Sequence, residues 1–448
     1  MEYYCRGAME TDWSDIDRAI LGAFHGKGEH CGFYHRYHSR HSPPLENIRV
    51  IVEKDPRSGT EKVVGVAPLL HEQAHFGNNI ISFSGLFDVS TLPAYQGKGL
   101  GMQLQRDVAR FLNDKEYMVA YLSTGLWKFY GKTGWLNVMN QWAYRLPVPS
   151  GPSLPQVPDG WRIKPCSDLS ESDWILLQSL YENFNRDNPV SWVRKDEYWS
   201  FYRTQSPEKL THLYVLNHGD QLRGYIWLRI KQENELRLAQ LTEYALGSPA
   251  NRADDMEIIL NCIVKCASDM NTSFVDLLLP DRFPLIQAAI ARGAKDITGV
   301  LSGVMVRVQS WAQFLPIYID WVMNTRFSAN PGRDAIDLQD IAPMRLKLRF
   351  EDFTLENTGG TKTDLYVDTT GAKPVLMIAT DSPRFEGDWM EISIPYLIGV
   401  GITVGNQLAS EMADEWEDLW PDIPKSVLQV LDQVFAPLKI LFYETDHF

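Results

Sequence analysis

Pro93-Ala94-Tyr95-Gln96-Gly97-Lys98-Gly99-Leu100-Gly101-Met102 is the stretch from which the fold is read. An apolar run precedes it, Ile80-Ile81-Ser82-Phe83 and then Leu86-Phe87-Asp88-Val89. Leu100, Leu104, Val108 and Leu112 follow at helical spacing. A strand that breaks into a glycine-rich turn and continues as a helix leaves backbone N–H groups unpaired at the helix start. Those donors, with the positive end of the helix dipole, make an anion site, and glycine lets a phosphate approach the main chain. The stretch reads as a pyrophosphate cradle.

Spacing decides which pyrophosphate. A Rossmann turn requires G-x-G-x-x-G, whereas Gln96 to Gly101 spell Q-x-x-G-x-G. Gly131-Lys132-Thr133 suggests a Walker A loop, but the glycine needed five positions earlier is Leu126, and the intervening Trp127-Lys128-Phe129-Tyr130 is too bulky to wrap phosphate. Q-x-x-G-x-G with a proline three positions upstream resembles the acetyl-CoA loop of the GCN5-related N-acetyltransferases. A second apolar run, Tyr117 to Leu122, comes next, and Phe129-Tyr130-Gly131-Lys132-Thr133-Gly134-Trp135 resembles the F/Y-Y-x-x-x-G-F/W element of that superfamily. Loop and tyrosine element, in order, place the resemblance over roughly residues 60 to 145.

The bulk of the chain sets outer bounds. Its 448 residues suit about three domains. A composition 44% hydrophobic and 22% charged, with 14 tryptophans, is that of globular protein with large cores. A net charge of −14 speaks against nucleic acid as a partner and suits a small cationic ligand. Five scattered cysteines make no disulfide framework, and Cys262 and Cys266 share one helix face as core. His30, His35, His38 and His41 crowd together, but no cysteine or carboxylate spacing completes a zinc set, so no metal is expected. Tyr396 to Val404 is too short and glycine-broken to span a bilayer. The start, Met1-Glu2-Tyr3-Tyr4-Cys5-Arg6, lacks a secretory pattern, and Glu444 to Phe448 carry no lipidation signal. The expectation is a cytoplasmic protein with no membrane partner.

Leu146 to Pro158 carries five prolines and closes a first domain after the strand-like Gln141 to Arg145. An internal echo follows: Asp12-Trp13 and Asp173-Trp174 each open an amphipathic helix that soon reaches a phenylalanine, Phe24 or Phe184. The second copy has Leu246-Gly247-Ser248-Pro249-Ala250-Asn251 where the first has its glycine loop, so the phosphate cradle is missing there. Strand-like Arg345 to Phe350, Asp364 to Asp368 and Glu391 to Pro395, with helices near Asn406 and from Ser426 to Phe435, read as an α+β region resembling the sterol-carrier-protein fold. The expected fold class is mixed α/β and α+β: two tandem acetyltransferase folds, 1–147 catalytic and 148–302 degenerate, then a sterol-carrier-like domain over 303–448. That tandem resembles the enhanced intracellular survival (Eis) family. The resemblance implies acetyl-CoA as cosubstrate, acetylation of amino groups on aminoglycosides or other polyamines, and assembly as a homo-hexamer.

Moving an acetyl group from a thioester to an amine requires a deprotonated amine, donors for the tetrahedral oxyanion, and stabilisation of the departing thiolate. Cofactor contacts are assigned to Gln96, Gly97, Lys98, Gly99, Leu100, Gly101 and Met102. An oxyanion donor among the main-chain groups of Ser90, Thr91 and Leu92 is implied by the resemblance, as is a general-acid role for Tyr130. The alternative reading of Tyr130 is one aromatic in a packed row with Trp127 and Phe129. The resemblance further implies that the α-carboxylate of Phe448 serves as base, with Glu444 and Asp446 adding negative charge suited to a polycation. Trp13, Phe24, Phe33 and Tyr34 are read either as aromatic walls of an acceptor pocket, which attract ammonium groups, or as core. Two other functions stay open: acetylation of another amine such as a protein lysine, and a non-enzymatic lipid carrier or scaffold built on the last domain.

Overall fold

The computed structural model describes residues 2–24, 44–77, 79–115, 117–141, 143–186, 191–204, 210–247, 253–279, 283–297, 299–326, 343–353, 362–371, 374–378, 388–403, 409–410 and 423–435. These fall into two compact units. One lies within Met1–Gln73, Asn79–Met139 and Gly303–Leu438, and the other within Ala74–Asn78 and Asn140–Ser302.

The first unit opens with strands β1 (Glu2–Gly7), β2 (Ile48–Lys54), β3 (Glu61–Phe76), β4 (Asn79–Leu86), β5 (Ser90–Thr91), β6 (Val119–Thr124) and β7 (Leu136–Gln141). Between them run helices α1 (Trp13–Ala23) and α2 (Leu100–Asp114) and the single turn α3 (Trp127–Tyr130). The sheet order is β1-β2-β3-β4-β6, then the strand Gly299–Val308, then β7. β1, β2 and β3 pair antiparallel. β4 and β6 pair parallel, which needs a crossover, and α2 supplies it. Leu100, Leu104, Val108 and Leu112 make the buried stripe of α2, as their spacing requires, joined by Phe111 and Ala109. The core of this region is Ile16 and Ile20 of α1, Ile51 and Val66 of the sheet, and that stripe.

Within the same unit, Arg345–Glu351, Lys362–Asp368, Val375–Ile378 and Met390–Ile394 form a four-stranded mixed sheet. Alternation along Arg345–Glu351 buries Leu346, Leu348 and Phe350. These meet an aromatic cluster from the helices Trp311–Arg326 and Lys425–Val434, where Trp311 lies 5.1 Å from Phe350 and Tyr318 stacks at 5.8 Å on Phe435. The apolar run at Tyr396 forms a helix, Tyr396–Thr403, that seats the fully buried Val400. Among the described residues no helix is long and apolar enough to cross a membrane.

The second unit holds a seven-stranded sheet ordered Lys295–Asp296, Tyr144–Pro147, Phe274–Leu277, Leu236–Leu246, Gln221–Glu233, Leu213–His218, Trp161–Pro165. Helix Glu171–Asn185 starts on a capping box in which Ser170 Oγ accepts from the Asp173 N–H. Arg194 and Glu243 form a pair with both side chains fully buried, and Tyr225 donates a further hydrogen bond to Glu243. The continuous strand-like run Gln141 to Arg145 is in fact the end of β7 and the start of Tyr144–Pro147, which lie in different sheets. Buried Cys262 and Cys266 sit on helix Ala253–Asp269, and burial raises both thiols. Of the segment answering to the glycine loop, Leu246 ends the strand Leu236–Leu246 and the Gly247 N–H donates to Arg223 O at 2.8 Å, while residues 248–251 lie outside the described residues, as do the four histidines from His30 to His41.

Candidate active site

β4 and β6 stay paired only as far as Gly85 opposite Tyr121. That contact is close: a Cβ on Gly85 would stand 2.8 Å from the Tyr121 ring. Beyond it the Phe87 N–H donates to Pro68 O at 3.2 Å, and Asp88 adopts φ 44°. A left-handed residue re-aims the chain, and Asp is among the few side chains that tolerate it. The following Ser90–Thr91 therefore pairs with β3, Ser90 opposite Val66 and Thr91 opposite Gly65, while β6 runs on separately. The two strands part, and a cavity of about 710 Å³ opens between them.

One wall of the cavity is Leu86 to Thr91, and another is Leu122 to Leu126 with Phe129 and Tyr130. The Leu92 N–H is used, donating to Val64 O at 2.9 Å, and Leu92 does not line the cavity. Donors alternate along an antiparallel ladder, so the Thr91 N–H turns away from β3, toward the side where β6 has parted. Ser90 is buried, and its Oγ has no hydrogen-bond partner.

The glycine loop closes one end. Gln96, Gly97, Gly99, Leu100, Gly101 and Met102 line it, and Gln96 Nε2 donates to Thr91 O at 3.1 Å, tying loop to strand. Gly97 and Gly99 take φ 75° and 77°, and Gly99 is the N-cap of α2 with no side-chain cap. Gly99 O accepts from Met102 N and Gln103 N at 3.1 Å each, which leaves the N–H groups of Leu100 and Gly101 without intrahelical acceptors. A Cβ on Gly97 or Gly99 would meet nothing within 4 Å, so the loop presents bare backbone. Lys98 does not line the cavity; its ammonium stands 4.7 Å over the Tyr95 ring, whose hydroxyl donates to Glu53 at 2.6 Å. Open glycine backbone at a helix start and the orphaned Ser90 hydroxyl fit a pyrophosphate continuing into a polar arm.

Tyr130 ends α3 with its N–H donating to Leu126 O at 3.3 Å and its ring edge-on to Phe129 at 5.0 Å. Its side chain is buried, and that burial pushes the phenol up to about 12. It is therefore a neutral donor throughout the physiological range. Asp88 is the one carboxylate among the described residues of the lining, a role its place in an apolar strand run did not signal. Phe24 lines the cavity from the end of α1. Trp13 does not: its indole donates to Glu10 at 3.0 Å, and the ring packs on the core. Phe33, Tyr34, Glu444, Asp446 and Phe448 lie outside the described residues.

Residues 5–137 match the family profile of the acetyltransferase (GNAT) domain, which supports that superfamily for the segment holding the cavity. Solved structures share the fold of the chain at low identity. A GCN5-related N-acetyltransferase from Anabaena variabilis superposes with TM-score 0.68 at 14% identity, over 98% of this chain and all of that one. A conserved protein of Enterococcus faecalis, described as a probable N-acyltransferase, gives 0.66 at 12% identity over 97% of both chains. Eis1 from Mycobacterium abscessus gives 0.62 at 14% identity, again over 97% of both. No curated protein matches the sequence.

Proposed function

We propose that the protein is an acetyl-CoA-dependent N-acetyltransferase whose acceptor is an amine of the polyamine class, aminoglycosides included. The observation that carries this reading is one cavity bordered by both the bare glycine N-cap of α2 and the buried phenol of Tyr130. Acetyl-CoA, when bound, supplies the activated thioester. Backbone N–H groups from Gly97 to Gly101 hold the pyrophosphate, with Ser90 Oγ as a further partner for the arm. The Thr91 N–H, on the free edge of β5, donates to the developing oxyanion. Asp88 adds negative charge that favours an ammonium-bearing acceptor.

Tyr130 stabilises the departing sulfur by hydrogen bonding. A phenol at about 12 lies some 3.5 pKa units above an ordinary thiol, so complete proton transfer to a solvated thiolate is uphill by about 5 kcal/mol. Donation without full transfer avoids that barrier, and the shared burial lifts the thiolate as well. The aminoglycoside class, the hexameric assembly, a cytoplasmic location and the Phe448 carboxylate as base rest on the resemblance to the Eis family.

The test is calorimetry with acetyl-CoA and CoA, followed by thiol-release assays on a panel of aminoglycosides, linear polyamines and lysine peptides. Binding with thiol release on polyamines supports the reading. Folded protein that gives no heat with either CoA species removes it, and acetylation of lysine peptides alone moves the acceptor class to proteins.

A further inference from the structure

Arg307 is buried to 1% exposure, yet among the described residues its one hydrogen bond, from Nη1, goes to a neutral acceptor, the carbonyl of Thr133 at 3.1 Å. Its Nε has no partner. A guanidinium in such a place is costly, because burial disfavours its charge and the nearby Asp352 carboxylate offsets that only in part. The strand Gly299–Val308 delivers it, with Arg307 opposite Ala120 of β6. Tyr396 pins the next residue from both sides, accepting from the Val308 N–H at 2.9 Å and donating to Val308 O at 2.7 Å.

Two further contacts converge on the same turn. The Arg307 guanidinium lies 5.3 Å from the centre of the Phe353 ring. Phe353 in turn covers Gly134 so closely that a Cβ there would stand 2.8 Å from the ring. Gly134 has φ 86° and terminates the turn Gly131–Thr133. Thr133, fully buried, donates from Oγ1 to Tyr130 O at 3.0 Å. Asp352, beside Phe353, accepts from the Trp311 N–H at 2.9 Å, so the segment carrying Phe353 is itself anchored.

We propose that Arg307, Thr133 and Phe353 form a positioning set that fixes the Tyr130 phenol in the cavity, making the C-terminal α+β region a working part of the acetyl-transfer site. The inference rests on the reading of Tyr130 as donor to the thiolate. None of the three residues touches the cavity, and each acts through the turn from Tyr130 to Gly134.

Thr133→Val and Phe353→Leu remove the hydroxyl bond and the ring contact with little change in volume, and Arg307→Met removes the guanidinium. Each variant is compared in the full chain with the unaltered protein and with Tyr130→Phe. Loss of position lowers kcat roughly tenfold to a hundredfold. The calorimetric Kd for CoA stays within about twofold, because the glycine loop is untouched. A phenol released toward water returns to about 10, so kcat in the variants falls along an alkaline limb near pH 10 where the unaltered protein stays flat. Combined with Tyr130→Phe, each variant adds no further loss. The inference is overturned if Thr133→Val and Phe353→Leu keep full kcat and a flat profile, or if their losses multiply with that of Tyr130→Phe. A parallel loss of CoA affinity also overturns it, since that marks general loosening. Should Arg307→Met not fold, the other two variants decide. If Tyr130→Phe is itself fully active, the donor reading of Tyr130 has failed, and the positioning set falls with it.

Discussion

Gly99→Ala puts the glycine loop to a quantitative test. Gly99 sits at φ 77°, ψ 0° as the N-cap of α2, and a Cβ there would touch no protein atom within 4 Å. Steric clash inside the protein is therefore absent, and the penalty is conformational. An L-residue held in the left-handed region costs about 1–2 kcal/mol, a factor of about 5–30 in an equilibrium. If the loop keeps its shape the penalty falls on folding, and if it relaxes the penalty falls on binding. In both cases the new methyl occupies the open face where phosphate would approach. Gly59 provides a matched control, because it also has φ 71° with nothing within 4 Å, in the turn joining β2 and β3, and it does not line the cavity. Thermal melts and CoA calorimetry on both variants should show a similar small loss of stability, and a Kd weakened about tenfold or more for Gly99→Ala alone. Equal melting losses with an unchanged Kd in Gly99→Ala would refute the cradle.

Tyr130→Phe should lower kcat about 10²-fold in the thiol-release assay while the CoA Kd holds, since the ring still fills its place. In the unaltered protein, burial raises the phenol to about 12, so the tyrosine contribution to stability is intact below pH 10 and fades only as pH climbs toward 12. Denaturation midpoints at pH 9 and pH 11 check that sign. Ser90→Ala removes a buried hydroxyl that has no partner, so stability should hold or rise by up to about 1 kcal/mol, while CoA binding weakens about 2–10-fold if Oγ serves the ligand. Glu243→Ala, in the second unit, removes the carboxylate that the buried Arg194 guanidinium meets at 2.9 and 2.5 Å. Urea unfolding should register a loss of about 3–5 kcal/mol with CoA affinity unchanged.

Local signals carried the loop. Glycines at 97 and 99 announce positive φ, and both adopt it; the 100, 104, 108, 112 stripe announces α2. Alternation likewise gave Arg345–Glu351, whose buried face is Leu346, Leu348 and Phe350. Other features have no local trace. Leu86 to Val89 is uniformly apolar apart from Asp88, and only the competing pairing of Ser90–Thr91 with β3 turns the run away from β6 and opens a cavity. The helix expected from about Asn406 falls mostly on positions outside the described residues, with Ala409 and Ser410 helical, while the earlier helix Tyr396–Thr403 forms on a glycine-broken apolar run whose Gly399 packs against Trp311 and Phe350. Arg307 looks like any strand-end cation in the sequence, and its burial comes from partners in distant segments.

The placement of Gly299–Val308 beside β6 has a consequence for biosynthesis. Val119 to Thr124 leaves the ribosome long before its neighbour does. At ordinary translation speed the interval is roughly ten to forty seconds. Throughout that time an apolar strand carries raw backbone donors and acceptors, the condition under which nascent chains cross-pair and precipitate. A message truncated ahead of Val308 makes that exposure permanent, so soluble expression of the first 140 residues on their own should be poor whatever the quality of their glycine loop.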